Sequence, residues 1–190
     1  MAVDVIQNII PRSLCLAAEA AWPGADWPYW HRYNGKTANK FASMDRARIP
    51  AACLAALDAL ALAVIPHIGD SFVDYDLHAA GMHMMPPGGF LASHLDAECH
   101  PIREWKRTHS IVMSVNSEWK EYDCGQLWIE DHGTYLPAIG TAVIFETVGC
   151  RHEVLPVSGY ASHHRKTLAL FAWQVDHDCD GMTSANFGGM

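Results

Sequence analysis

The feature that most constrains this chain is a change of apolar period near residue 71. Ahead of it, Leu14, Ala17, Ala18 and Ala21 recur at helical spacing, which predicts a helix from about Ser13 to Ala21. Pro11 suits its first turn, and Pro23-Gly24 ends it. A second helix is expected over residues 50–66, opened by Pro50 and closed by Pro66. Its apolar and small residues run around much of its surface, so it is expected to be largely buried. Beyond residue 71 the segments are short and alternate: 72–76, 77–85, 91–96, 110–116, 125–130, 141–145, 152–157 and 167–175. Turn chemistry separates several of them, notably Pro86-Pro87-Gly88-Gly89, Asp131-His132-Gly133 and Pro137-Ala138-Ile139-Gly140. About eight short strands after two helices predict a mainly-β fold with N-terminal helices and a double-stranded β-helix, or jelly-roll, core.

A chain of 190 residues supports one domain with a substantial core. That domain is expected over residues 1–176, with 1–70 as helical buttress and aromatic flap and 71–176 as the jelly roll. Residues 177–190 lack periodicity and are expected to form a loose tail. A net charge of −8 argues against a general nucleic-acid binder. The longest apolar run, residues 51–65, is interrupted by Asp58 and falls short of a membrane-spanning helix. No N-terminal stretch has the pattern of a secretory signal. The six cysteines form no CxxC and no zinc-ribbon spacing, so reduced thiols and a cytoplasmic location are expected. Residues 22–44 are rich in aromatics and irregular. They read as a flap packed on the core, or as a substrate-facing lid in which Trp30, Arg32 and Tyr33 touch the substrate. The charged loop 98–107, with Arg103, is the other substrate-facing candidate.

Chemistry concentrates in Gly88-Gly89-Phe90-Leu91-Ala92-Ser93-His94-Leu95-Asp96. On a strand, His94 and Asp96 share a face. With His152, fifty-eight residues after His94, they supply the two imidazoles and one carboxylate of a facial iron site that leaves three metal positions open. Such a site lets a co-substrate and dioxygen bind side by side.

In these and other positions the sequence resembles the prolyl-4-hydroxylase-like branch of the Fe(II)- and 2-oxoglutarate-dependent dioxygenases. The resemblance is carried by Gly88-Gly89-Phe90 before His94-x-Asp96, Val115-Asn116 with Trp119, and Gly125-Gln126-Leu127. It continues through Pro137-x-x-Gly140, His152-Glu153-Val154-Leu155-Pro156-Val157, and Arg165-x-Thr167-Leu168 before Trp173. It implies that His94, Asp96 and His152 ligate Fe(II), and that Arg165 and Thr167 bind the distal carboxylate of 2-oxoglutarate. It implies hydroxylation of an unactivated C–H bond by O2, with 2-oxoglutarate converted to succinate and CO2. An acidic Asp96 fits hydroxylation rather than halogenation, since related halogenases carry a small residue there. The implied substrate is a prolyl residue in a peptide; a free amino acid or other small metabolite is the alternative, as is a non-catalytic jelly roll that keeps the metal pocket. Many relatives have a tyrosine where this chain has Met84-Met85, and Met85 offers no comparable hydrogen bond. Ser114 and His83 are the candidate replacements.

Overall fold

The computed structural model describes residues 2–78, 80–179 and 185–187. Its elements begin with strand β1 (Val3–Ile6), helix α1 (Arg12–Ala20), the hairpin strands β2 (His31–Asn34) and β3 (Ala38–Ser43), and helix α2 (Ala51–Ala63). Then follow β4 (Phe72–Val73), β5 (Gly81–Met85), β6 (Phe90–His94) and β7 (Trp105–Ser114). The chain continues through β8 (Leu127–Ile129), β9 (Gly133–Tyr135), β10 (Ala142–Glu146), β11 (His152–Val154) and β12 (Arg165–Val175).

All the strand pairings are antiparallel, in the order β1-β10-β7-β12-β5-β3-β6-β11-β8-β9. The sheet curls into the two facing layers of a jelly roll. Strand β3 joins them: Phe41, Ala42 and Ser43 pair with β5, while Ala38 and Asn39 pair with β6. A close approach makes that junction possible. Gly81 of β5 has φ +98°, and a Cβ there would stand 2.3 Å from the Ser43 carbonyl oxygen.

The helices cover the outer face of the larger layer. Helix α2 buries Cys53, Ala56, Leu57, Leu60 and Ala61, the stripe that a 3.6-residue period puts on one side. Leu57 and Leu60 are fully enclosed, each contributing about 1.5–3 kcal/mol through burial. The helix is less enveloped than expected, because Leu62 is 62% exposed on the opposite side. Helix α1 packs against α2, burying Cys15 and Ala18.

Three expectations change. Residues 31–43 form a hairpin within the sheet, although Trp22, Trp27 and Trp30 do pack on the core as a flap would. The expectation of a loose tail is corrected where the chain is described. Cys179 is disulfide-bonded to Cys99, and Asn186 exchanges two backbone hydrogen bonds with Leu95. Residues 180–184 and 188–190 lie outside the described residues. The disulfide also removes the basis for expecting only reduced thiols and hence a cytoplasmic location, since disulfides persist mainly in oxidising compartments. Among the described residues, no helix is long and apolar enough to cross a membrane.

Candidate metal centre and active-site cavity

The two histidines meet because β11 pairs with β6 and sets His152 directly across from His94. Directly opposed side chains on one face are close neighbours, and the two ring centroids are 4.3 Å apart. Each ring has its Nδ1 against a carbonyl oxygen two residues earlier: His94 to Ala92 at 2.9 Å, His152 to Cys150 at 3.0 Å. A carbonyl only accepts, so both Nδ1 atoms carry the proton in the neutral rings, and both Nε2 lone pairs are free. Burial lowers the His152 pKa, favouring that neutral form.

Both Nε2 atoms face Asp96, His94 at 3.5 Å from Oδ1 and His152 at 3.7 Å from Oδ2. Ser110 donates to Oδ2 at 2.7 Å, and Arg107 Nη1 stands 3.2 Å from the same oxygen. These contacts leave Oδ1 as the carboxylate oxygen open to a metal. Burial pushes the Asp96 pKa up. The adjoining His94 ring and the charge of Arg107 outweigh it and hold the carboxyl well below its usual range. The three side chains therefore present two neutral imidazole nitrogens and one ionised carboxylate, a donor set suited to Fe(II).

Arg107 escaped the sequence reading, which placed it in a charged loop. It lies on β7, and the β7–β12 register slips between Ala172 and Trp173, leaving Thr108 as an extra residue. That bulge turns Arg107 onto the cavity face beside Ser110, although a regular strand would put the two on opposite faces. Its guanidinium lies 3.7 Å from the Phe171 ring centroid.

The site opens into a cavity of about 380 Å³. Arg165 and Thr167 line it together, as strand alternation requires. Lys166 points the other way, with Nζ 3.9 Å from Glu19 of α1, so Arg165 is the inward member of the pair. Its position is fixed twice. Gly125 accepts from Arg165 Nε at 2.7 Å, and a Cβ on Gly125 would press on Arg165 Cδ at 3.1 Å. Asn116 clamps the start of β12, donating to the His164 carbonyl and accepting from the Lys166 amide. Burial brings the Arg165 pKa down to about 10. Among the described residues Arg165 has no carboxylate partner, and its Nη1 reaches only Thr167 Oγ1, at 3.5 Å.

Of the substrate-facing candidates, Tyr33 lines the cavity. Trp30 does not: it is buried in the helix-side core and donates to the Gly24 carbonyl. Arg32, adjacent to Tyr33 on the strand, faces away and donates to the Ala25 carbonyl. Arg103 is exposed over Trp105, outside the cavity wall. Phe187 was also missed; its ring stacks on His94 at 5.3 Å. Of the residues considered for the missing tyrosine, His83 lines the cavity, while Ser114 Oγ is buried without a hydrogen-bond partner among the described residues, beside a smaller void.

A second cluster, Asp74, His78 and His100, also gathers potential ligand atoms. Its proton arrangement differs. The Ile102 amide donates to His100 Nδ1, which puts the ring proton on Nε2, aimed at Asp74 Oδ2 at 3.2 Å. His78 Nδ1 meets the same oxygen at 2.9 Å. This is a buried carboxylate satisfied by two imidazole donors, with the nitrogen lone pairs turned away from any shared metal position.

A jelly roll enclosing two histidines and a carboxylate, with an arginine across the same cavity, defines a class: the mononuclear non-haem oxygenases that use a 2-oxo acid. The family model described as the 2OG-Fe(II) oxygenase superfamily matches residues 80–173, from β5 to the end of the β12 core, and the chain belongs to that superfamily. It is a 2-oxoglutarate-dependent oxygenase, and Fe(II), 2-oxoglutarate and O2 come with that membership. No curated protein matches the sequence. Among solved structures, a prolyl-4-hydroxylase from Pseudomonas putida is similar at 24% identity and a TM-score of 0.66, over 92% of each chain. A prolyl hydroxylase from Trichoplax adhaerens, in complex with a hypoxia inducible factor oxygen degradation domain peptide fragment, aligns at 17% identity and TM-score 0.62, covering 93% of this chain and 84% of that one. The epimerase SnoN from nogalamycin biosynthesis aligns at 9% identity and TM-score 0.64, covering 90% and 77%.

Proposed function

We propose that this chain hydroxylates an unactivated C–H bond, with His94, Asp96 and His152 as the Fe(II) ligands and Arg165 with Thr167 as the anchor for the distal carboxylate of 2-oxoglutarate. The observation that carries this reading is the convergence of two unprotonated Nε2 atoms and Asp96 on one cavity that also holds the buried Arg165. The overall reaction balances as substrate C–H, O2 and 2-oxoglutarate giving C–OH, succinate and CO2.

Iron and 2-oxoglutarate, once bound, supply the oxidising chemistry. The chain does the rest. The Ala92 and Cys150 carbonyls hold the protons of His94 and His152 away from the metal side. Ser110 and Arg107 occupy one oxygen of Asp96 and fix the plane of its carboxylate. Arg165 offers a planar fork that matches a carboxylate. Leu91, Val112, Leu127 and Val154 give the cavity apolar walls that exclude water.

The leading substrate is a prolyl residue in a peptide, acted on by a unit spanning residues 1–176. Supporting this is the likeness to two structures named as prolyl hydroxylases, one of them holding a peptide fragment. The test is succinate release from 2-oxoglutarate with Fe(II), with and without proline-containing peptides, and with His152→Ala as control. Peptide-stimulated succinate with a 16-Da mass gain on a prolyl residue supports the assignment. Succinate formation stimulated only by free amino acids overturns the peptide substrate, and no metal-dependent turnover overturns the hydroxylase itself.

A further inference from the structure

Besides Arg165, one further cation in the cavity, Lys40, has no carboxylate partner among the described residues. In the β2–β3 hairpin Lys40 pairs with Tyr33, and its Nζ lies 5.3 Å from the Tyr33 ring centroid. Strand β3 pairs Phe41 with Met84 of β5, and continuing that antiparallel register by one residue sets Lys40 across from Met85. On the other side of β5, Met85 pairs with Arg165 of β12. Lys40, Met85 and Arg165 thus form one row across three adjacent strands. Directly opposed residues share a face, and all three line the cavity. Neighbouring strands are about 4.8 Å apart, so the two cationic residues flank Met85 on the same cavity face.

Nothing described in the protein neutralises this pair. Lys40 Nζ makes no ion pair among the described residues, and Asp96 is already engaged by Arg107 and Ser110. Burial lowers the Lys40 pKa to about 8; Asp96 opposes that shift and Arg165 reinforces it. Two desolvated cations facing one apolar residue are mutually unfavourable until an anion lies between them.

We propose that Lys40 is the second cation of the co-substrate pocket and, with Arg165, holds the distal carboxylate of 2-oxoglutarate. It supplies from the neighbouring strand the polar contact that Met85 lacks. The inference rests on the oxygenase reading above and adds to it a residue from the hairpin, outside the matched family segment of residues 80–173.

The test measures equilibrium binding of 2-oxoglutarate to the Fe(II)-loaded protein without oxygen, for wild type, Lys40→Met and Lys40→Arg. Pyruvate, a 2-oxo acid with no distal carboxylate, is the second ligand. Lys40→Met should weaken 2-oxoglutarate binding by about ten- to a hundredfold, as expected for losing one charge-assisted hydrogen bond. Lys40→Arg should recover most of the loss. Pyruvate should bind wild type and Lys40→Met equally weakly, and Fe(II) affinity should be the same in all three proteins. Unchanged 2-oxoglutarate binding in Lys40→Met overturns the proposal, and so does an equal loss with pyruvate, which would move the contact to the other end of the molecule. Wild type that binds Fe(II) but no 2-oxoglutarate would instead refute the oxygenase reading, and Lys40 with it.

Discussion

Asp96 is held by Ser110 and Arg107 as well as facing both histidines, and those neighbours set how well it can serve a metal. Arg107 is the more exposing of them to remove, because it contributes both a buried charge and a cation–π contact. Arg107→Met should keep the volume and the fold but lower Fe(II) affinity by about ten- to a hundredfold, the usual effect of losing an outer partner of a metal ligand. Titration of the apo protein with Fe(II) under argon reads this directly. The free cysteines give a second prediction. Burial raises the thiols of Cys15, Cys53 and Cys150, Cys53 to about 12 and Cys150 to about 11. At pH 8 Cys53 is then thiolate in only about one molecule in ten thousand. Cys124, the only free cysteine not buried among those described, should be alkylated first and alone in the native protein, which peptide mass mapping will show. At this scale the grouping of His94 with Asp96 was legible, because a two-residue spacing puts both on one face of a strand. Arg165 was chosen over Lys166 by the same alternation. Arg107 was not legible, because the bulge at Thr108 breaks the alternation that a reader must assume. Lys40 carried no signal either, since its relevance comes from strands that are distant in sequence.

Among the elements, the β2–β3 hairpin, which brings Tyr33 and Lys40 to the cavity wall, was the least readable. The residues of β2 are all exposed, so no apolar alternation marks them, while the aromatics before them suggested an irregular flap. The two helices were legible to within a few residues because their prolines and apolar spacing agree. Strand β3 is paired on both sides and β2 on one, among the described residues. Amide hydrogen exchange should therefore be slow in Ala42 and Ser43 and fast in Arg32 and Asn34. The β3–β5 junction gives a stability prediction. Gly81→Ala would drive a methyl into the Ser43 backbone at a positive φ and should cost at least about 2 kcal/mol. Leu60→Ala in α2, which opens a cavity without backbone strain, should cost about 2–5 kcal/mol. Urea denaturation of both variants checks the pair.

For the whole molecule, the Cys99–Cys179 disulfide closes a loop of 80 residues. Reducing it should cost about 4.5 kcal/mol by the loop-entropy relation, measurable as a lower Tm with reductant or in the Cys99→Ser, Cys179→Ser double variant. No spacing rule reveals a pairing so distant, and reading the cysteines by composition alone pointed to free thiols. The jelly-roll class itself was legible, because eight alternating segments with intervening turns admit few other closures. The strand order was not, and it has a consequence for how the protein is made. The last strand, β12, lies between β7 and β5 in the interior of the larger layer. During synthesis from the N-terminus, the two halves of that layer have no common partner until residues 165–175 have left the ribosome. His94, Asp96 and His152 will have emerged earlier, with nothing to hold Arg165 opposite them. A nascent chain stalled before residue 165 should therefore remain protease-sensitive, and co-translational folding should complete in one late step rather than strand by strand.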